Sequence, residues 1–302
     1  MSARDLVGYG RQSPDPHWPG GARLAVSFVL NYEEGAEHTP LEGDETSEAF
    51  LHEVVGAPPS VGRNLNTESM FEFGSRVGFW RVHRIFTGRS VPLTVYAVGQ
   101  ALERNPDAGR AMAEAGWEVA SHGWRWIDYD TMPEEEERRH LRLAIDAIER
   151  VVGTRPVGWY TGRVSEHTRR LVVEEGGFLY DSDSYADELP YWVDVGGADH
   201  LVIPYTLDAN DFKFLLPNGF VTADDFTTYL VDSFDRLYAE GGRMLSVGLH
   251  CRIVGRPGRA AALERFLDHV QAHDDVWVAT RAEIATHWRA THPPPRAAGT
   301  AG

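Results

Sequence analysis

The chain has 302 residues, of which 42% are hydrophobic and 11% aromatic, enough to bury one large α/β domain or two small ones. A formal charge of −16 argues against nucleic acid and anionic membranes as partners, because both bind a basic face. The single cysteine, Cys251, excludes an intrachain disulfide and a cysteine-based zinc site. Residues 1–21 carry charges and prolines instead of an apolar signal sequence, and no apolar run is long enough to span a membrane. We therefore expect a cytoplasmic protein.

Apolar, β-branched segments alternate with amphipathic segments in chain order. The predicted strands are 23–33, 91–99, 117–123, 159–162, 177–183, 200–208, 243–250 and 276–280. The predicted helices are 133–153, 222–242, 259–274 and 281–292. The alternation predicts an α/β fold with a mainly parallel sheet, closed into a (β/α) barrel. An open doubly wound sheet is the alternative, but no Gly-rich dinucleotide or Walker loop follows a predicted strand.

One domain is expected, since the sequence shows neither an internal repeat nor a linker. Residues 1–22 would form an N-terminal arm and residues 23–292 the barrel. Residues 36–69 are acidic and contain proline and glycine, which predicts an ordered functional insertion after the first strand. Residues 293–302 have nothing to bury and are predicted to be a disordered tail.

Two adjacent carboxylates, Glu33 and Glu34, follow the first predicted strand. In parallel sheets the active site lies at the carboxyl ends of the strands, so this position is a candidate site. Neighbouring carboxylates repel each other, which should raise the pKa of one of them and suit it to act as a general base. A solvated pair in a loop is the alternative.

Other polar and aromatic residues follow further predicted strands. The polar ones are His122, Asp181, Asp183, Asp208, Asn210, Asp211 and His250. Each alone is weak evidence, because a histidine at a strand end is more often structural, but parallel topology would bring them to one rim. The aromatic ones, which could pack in the core or form a slot for a planar polar ring, are Tyr32, Trp124, Trp126, Trp159, Tyr160, Tyr185 and Trp192.

The order of these residues resembles the polysaccharide deacetylase superfamily, whose members are distorted (β/α) barrels that hydrolyse N-acetyl amides on sugars. Its motifs are an Asp-Asp pair that supplies a base and a metal ligand, a His-x-x-x-His motif that supplies two more ligands, and a later Leu-x-His that supplies the acid. Here Glu33-Glu34 match the first motif, His122 followed by Trp126 the second, and 249–251 around His250 the last. An indole cannot bind a metal, so tight zinc binding loses a ligand that it needs.

A narrower resemblance is to the metal-independent allantoinases that were recruited from this superfamily. It covers about residues 4 to 292 and is carried by "NYEEG", "SHGWRWIDY" and "GLHCRIVGRP". The resemblance implies hydrolysis of the hydantoin ring of allantoin to allantoate in purine (urate) catabolism. It also implies that no metal and no cofactor is required, and that the protein is a homo-oligomer, namely a homotetramer.

The resemblance also suggests roles for single residues. Glu33 is expected to activate water, with Glu34 tuning its pKa or binding ring N–H groups, and His250 is expected to protonate the leaving nitrogen. His122 would bind water or the oxyanion, and Arg163 would supply the positive charge that a metal supplies elsewhere, with Arg155 as an alternative. The expected substrate contacts are Tyr32, Trp126, Trp159, Tyr160, Asp183, Asn210 and Asp211, with Trp126 and Trp159 stacking on the ring.

Two other classes of function stay open at this point. One is a different hydrolase on the same scaffold, acting on another cyclic amide or imide or on an N-acyl sugar. The other is a catalytically inactive binding homologue.

Overall fold

The computed structural model describes residues 4–294. Its strands are β1 (Leu24–Tyr32), β2 (Thr94–Ala97), β3 (Glu118–Ser121), β4 (Gly158–Trp159), β5 (Tyr180–Asp181), β6 (Tyr191–Val195), β7 (Ala198–Val202), β8 (Arg243–His250) and β9 (Val276–Val278). Its α-helices are α1 (Leu65–Phe73), α2 (Phe79–Arg89), α3 (Gly99–Arg104), α4 (Pro106–Glu114), α5 (Glu134–Val152), α6 (Thr168–Glu175), α7 (Ala223–Glu240), α8 (Pro257–Gln271) and α9 (Arg281–Thr291).

The strands form one curved sheet in the order β6-β7-β5-β4-β3-β2-β1-β8, and β9 pairs with the start of β1. The pairs are parallel except for β6 and β7, which run antiparallel. The fold is a single-domain, distorted (β/α) barrel that stays open on one side as a half-barrel. The predicted fold class is thus confirmed.

Strand β1 pairs with three other strands, with β8 on one side and with β2 and β9 on the other. All nine of its residues are buried, so both of its faces lie in the interior. This explains the continuous apolar sequence, which is typical of a buried parallel strand and not of a half-exposed one. The main core lies between this sheet and the helices around it, with Phe28, Phe86 and Phe266 in edge-to-face contact.

The long helices begin and end where the sequence signals predict. Helix α5 has four glutamates in its first turn and ends at Gly153, which adopts the left-handed conformation with φ 87°. Helix α7 starts with a capping box, in which Thr222 and Asp225 satisfy each other's backbone N–H groups. None of the helices within residues 4–294 has the length and apolar character to cross a membrane.

Several elements differ from the sequence predictions. Strand β6 was not predicted because it is a half-exposed edge strand, and it reaches β7 through a turn at Gly196 and Gly197. Helices α1 to α4 and α6 were not predicted either, and all are shorter than the predicted ones. The predicted strands at 159–162 and 177–183 shorten to two paired residues each.

The expected terminal segments and insertion are placed only in part. Within the expected N-terminal arm, Trp18 is buried and its indole N–H donates to the carbonyl oxygen of Arg243 (2.9 Å), so this part of the arm packs against the barrel. The end of the expected 36–69 insertion is helical, because α1 begins at Leu65. Most of the predicted 293–302 tail lies outside the described residues.

Candidate active site

The carboxyl ends of β1, β3 and β8 bring Glu33, His122 and His250 together. Glu33 follows β1, His122 follows β3 and His250 ends β8. One carboxylate oxygen, Glu33 Oε1, lies 3.3 Å from His122 Nε2 and 3.6 Å from His250 Nε2. All three side chains are buried. Two histidines that are far from Glu33 in sequence therefore lie next to the same oxygen of its carboxylate, an arrangement suited to proton transfer.

A cavity of about 140 Å³ lies over this group. Of the residues predicted for the site, Glu33, His122, Trp126, Tyr160, Arg163, Asn210 and His250 line it. Tyr185, which the sequence indicated as a slot aromatic, also lines it, and the lining residues that sequence reasoning missed are Asn31, Phe50, Leu51, Gly162, Tyr205, Leu207 and Phe212. Asn31 could have been found, since it lies two residues before Glu33 and pairs in register with His250. Phe50 and Leu51 come from the predicted insertion, for which no local pattern indicates where the side chains reach.

Asp211 lies behind His250 and does not line the cavity. Its Oδ1 is 2.6 Å from His250 Nδ1, and its Oδ2 accepts the backbone N–H groups of His250 (2.8 Å) and Val254 (2.9 Å). A carboxylate on Nδ1 fixes the orientation of the imidazole and directs Nε2 toward the cavity. Asp211, which was predicted to contact the substrate, therefore holds the imidazole of His250 in position from outside the cavity.

Arg252 is the functional residue that sequence reasoning missed most clearly. Its buried guanidinium donates to Glu33 Oε2 at 2.5 Å. Burial alone would raise the pKa of Glu33, but the Arg252 charge, followed by His250 and His122, holds that pKa well below its usual range. The signal was present in the sequence, because Arg252 lies two residues after His250 in "GLHCR".

Glu34 points away from the cavity. Its Oε1 accepts the backbone N–H of Arg252 (3.1 Å) and its Oε2 that of Glu33 (3.0 Å). Burial raises the pKa of Glu34 to about 7, and the charge of Glu33 adds to this effect while Arg252 opposes it. The glutamate pair does contain one raised pKa, but it belongs to the carboxyl outside the cavity.

Arg163 lies at the cavity as predicted, and it covers Trp126. Its guanidinium carbon is 4.1 Å from the centre of the Trp126 ring and 4.9 Å from that of Phe50. Nη1 lies 3.3 Å from the carboxylate of Glu48, whereas the buried Nη2 makes no hydrogen bond in the part of the chain that the structure describes. The Arg252 guanidinium also lies over Trp126, at 4.8 Å. The indole therefore binds two cations of its own chain, and because it also lines the cavity, its predicted stacking on the substrate stays a prediction.

Three predicted substrate contacts lie away from the cavity. The hydroxyl of Tyr32 is 3.2 Å from that of Ser75, and its ring packs against Phe79. Trp159 packs in a separate core cluster under α5 and α6. Asp183 accepts the backbone N–H groups of 161 and 162, which fixes the turn before Arg163. Tyr32 and Trp159 thus pack in the core, and Asp183 supports a loop, instead of lining the cavity as predicted.

Tyr160 and Asn210, which were also predicted as substrate contacts, line the cavity together with Trp126. The hydroxyl of Tyr160 is 2.9 Å from that of Tyr185, and its ring stacks on Tyr96. The side chain of Asn210 bonds locally, donating to the Thr206 carbonyl oxygen (3.2 Å). Asn31 donates to the hydroxyl of Tyr205 (2.8 Å), while its own side-chain oxygen makes no hydrogen bond to any residue within 4–294.

The residues present do not fit the metal site that the superfamily resemblance implies. Within residues 4–294, no group of three or more His, Cys, Asp or Glu side chains is arranged to hold a metal ion. Trp126 stands at the second histidine position, and the fixed positive charge of Arg252 already binds Glu33. A cation next to a second cation would be repelled, so the donor set and its charge both disfavour a metal.

Comparison with known proteins places the chain in a family. Residues 67–177 match the family model described as "Polysaccharide deacetylase". A Schizosaccharomyces pombe protein named "Putative polysaccharide deacetylase" is 44% identical, covering 96% of this chain and 98% of its own length. The chain belongs to the polysaccharide deacetylase family.

Two solved structures share the complete fold with this family member. The probable polysaccharide deacetylase from Pseudomonas aeruginosa PAO1 is 56% identical, with a TM-score of 0.94, over 97% of this chain and 99% of that one. Puue allantoinase is 55% identical, with the same TM-score and the same coverage of both chains. The comparisons therefore confirm the superfamily resemblance and include both names that the sequence suggested.

Proposed function

We propose that this protein hydrolyses the hydantoin ring of allantoin to allantoate and requires no metal to do so. The observation that carries the proposal is the small, aromatic cavity of about 140 Å³ over Glu33, His122 and His250. Drug-sized ligands occupy pockets of roughly 300–1,000 Å³. The smaller volume favours a compact ring over a sugar polymer, and the likeness to Puue allantoinase favours allantoin among such rings.

In the proposed reaction, Glu33 accepts a proton from the attacking water. Its Oε1 faces the cavity and its pKa is held low, so it is ionised throughout the working range of pH. As the water oxygen bonds to the ring carbonyl carbon, charge develops on the carbonyl oxygen. The free Nη2 of Arg163 and the ring of His122 are the groups proposed to stabilise that charge.

His250 is the proposed acid that completes the reaction. Asp211 holds its Nδ1, so Nε2 is directed toward the cavity and can give a proton to the leaving amide nitrogen as the C–N bond breaks. The proton taken up by Glu33 Oε1 then passes to His250 Nε2, 3.6 Å away, and both groups return to their starting state.

Deacetylation of an N-acyl sugar is the second candidate, because the Schizosaccharomyces pombe and Pseudomonas aeruginosa relatives carry deacetylase names. The purified protein should be assayed in parallel with allantoin, unsubstituted hydantoin and an N-acetylglucosamine oligomer, by measuring allantoate, the ring-opened acid and acetate. We expect the highest kcat/KM for allantoin and no release of acetate. Release of acetate without hydrolysis of allantoin would favour the deacetylase candidate.

A further inference from the structure

Arg252 is a fully buried cation with few partners. Among residues 4–294, its guanidinium contacts one carboxylate, that of Glu33, at 2.5 Å, while Nε and Nη2 make no hydrogen bond. The ring of Phe71 lies 4.5 Å from the guanidinium carbon and that of Trp126 lies 4.8 Å away. Burying a charge is costly unless it is paired, so this guanidinium depends on Glu33 and on the two ring faces.

Arg252 does not line the cavity, because it binds the far oxygen of the catalytic carboxylate. Oε2 of Glu33 is held by the guanidinium, and Oε1 is left facing the two histidines. Arg252 therefore acts on the reaction through the groups that it contacts, of which Glu33 is the charged one at the cavity.

We propose that Arg252, seated on the rings of Trp126 and Phe71, is a positioning residue that fixes the Glu33 carboxylate and supplies the positive charge beside it from within the chain. This inference rests on the proposed role of Glu33 in allantoin hydrolysis. It gives Trp126 a function: the indole at the motif position holds a guanidinium in place. The positive charge beside the base thus comes from Arg252, whereas Arg163 keeps its proposed place at the carbonyl oxygen.

A matched control is available in Arg259. Its guanidinium also binds a carboxylate, that of Glu53 (2.6 and 3.0 Å), and also lies over an aromatic ring, that of Phe214 (4.9 Å). It lies on α8 and does not line the cavity. The same substitution at both arginines separates an effect on Glu33 from the general cost of breaking an arginine–carboxylate pair.

The activity test compares Arg252→Met, Arg252→Lys and Arg259→Met with allantoin as substrate. We expect Arg252→Met to lower kcat by about 100-fold with little change in KM, because a misplaced base affects the transition state more than substrate binding. Arg252→Lys should recover about a tenth of the wild-type kcat, since it restores the charge but not the planar geometry. Arg259→Met should stay within about twofold of wild type. A kcat of Arg252→Met equal to that of Arg259→Met would overturn the proposal.

A second test needs no substrate. Urea unfolding of Glu33→Gln, Arg252→Met and the double variant measures the coupling between the two side chains. We expect Arg252→Met to lower the unfolding midpoint in the wild type, and to lower it less or raise it in Glu33→Gln, where the cation has lost its partner. Equal effects in both backgrounds would refute the coupling. If the wild type does not hydrolyse allantoin, the proposed function fails, and the unfolding cycle still decides whether Arg252 is held by Glu33.

Discussion

At the scale of single residues, two adjacent glutamates have opposite surroundings. Glu33 faces two histidines and a guanidinium, whereas Glu34 accepts only backbone N–H groups. The sequence could predict that the pair would separate in pKa, because repulsion between neighbouring carboxylates is a local effect. The resemblance indicated Glu33 as the member at the cavity, but repulsion alone could not indicate that its pKa would be the lowered one, since that depends on Arg252, which lies far away in sequence.

The proposed base and acid are tested by Glu33→Gln and His250→Ala. Each should lower kcat/KM for allantoin by about 100-fold or more, the usual contribution of a positioned base or acid. His269→Ala is the matched control, because His269 also bonds an aspartate, Asp235 (2.9 Å), but lies on the surface away from the cavity. Wild-type kcat/KM in either active-site variant would contradict the assigned roles.

Glu34 should make the protein less stable as the pH rises. Its pKa is raised from 4.5 to about 7 in the folded state, so between these values the folded chain holds a proton that the unfolded chain releases. Stability therefore falls through this window, by an amount of the order of 3 kcal/mol when complete. The melting temperature of Glu34→Gln minus that of the wild type should be larger at pH 8 than at pH 5. A difference that is constant with pH would show that burial does not perturb this carboxyl.

At the scale of elements, the sequence predicts well where the signal is local and strong. Strand β1 has a long apolar sequence, and helix α5 has acidic residues at its start and a glycine at its end. Both appear near their predicted bounds. Strand β6 pairs on one edge only, and α1 and α2 are joined by the π-helical segment Gly74–Gly78. Such features depend on tertiary contacts, so periodicity alone did not indicate them.

The π-helical segment supports the site through Gly74. A Cβ atom at this position would lie 2.3 Å from Glu34 Oε1, so the carboxyl fits only because residue 74 has no side chain. We expect Gly74→Ala to lower the melting temperature by several degrees, since a buried group must move. Gly88→Ala in α2, where a Cβ meets nothing within 4 Å, should leave it unchanged or raise it. Equal melting temperatures for the two variants would contradict this account of the close contact.

At the scale of the whole molecule, the cavity is assembled from segments that are distant in sequence. The ends of β1, β3 and β8 supply Glu33, His122 and His250, Phe50 and Leu51 come from the predicted insertion, and further wall residues come from 205–212. The sequence could indicate the strand ends, because the carboxyl edge of a parallel sheet is a general site. It could not indicate the size of the cavity, which depends on how the segments close over it. The homotetramer stays a prediction.

The central claim is that this assembly opens the ring of allantoin with charges supplied by its own side chains. The most direct measurement is allantoin turnover by protein after exhaustive chelation, with residual metal content determined in the same sample. We predict undiminished formation of allantoate by metal-free protein, and no gain when Zn²⁺ is added back. The account would be contradicted if chelation abolished turnover and added metal restored it.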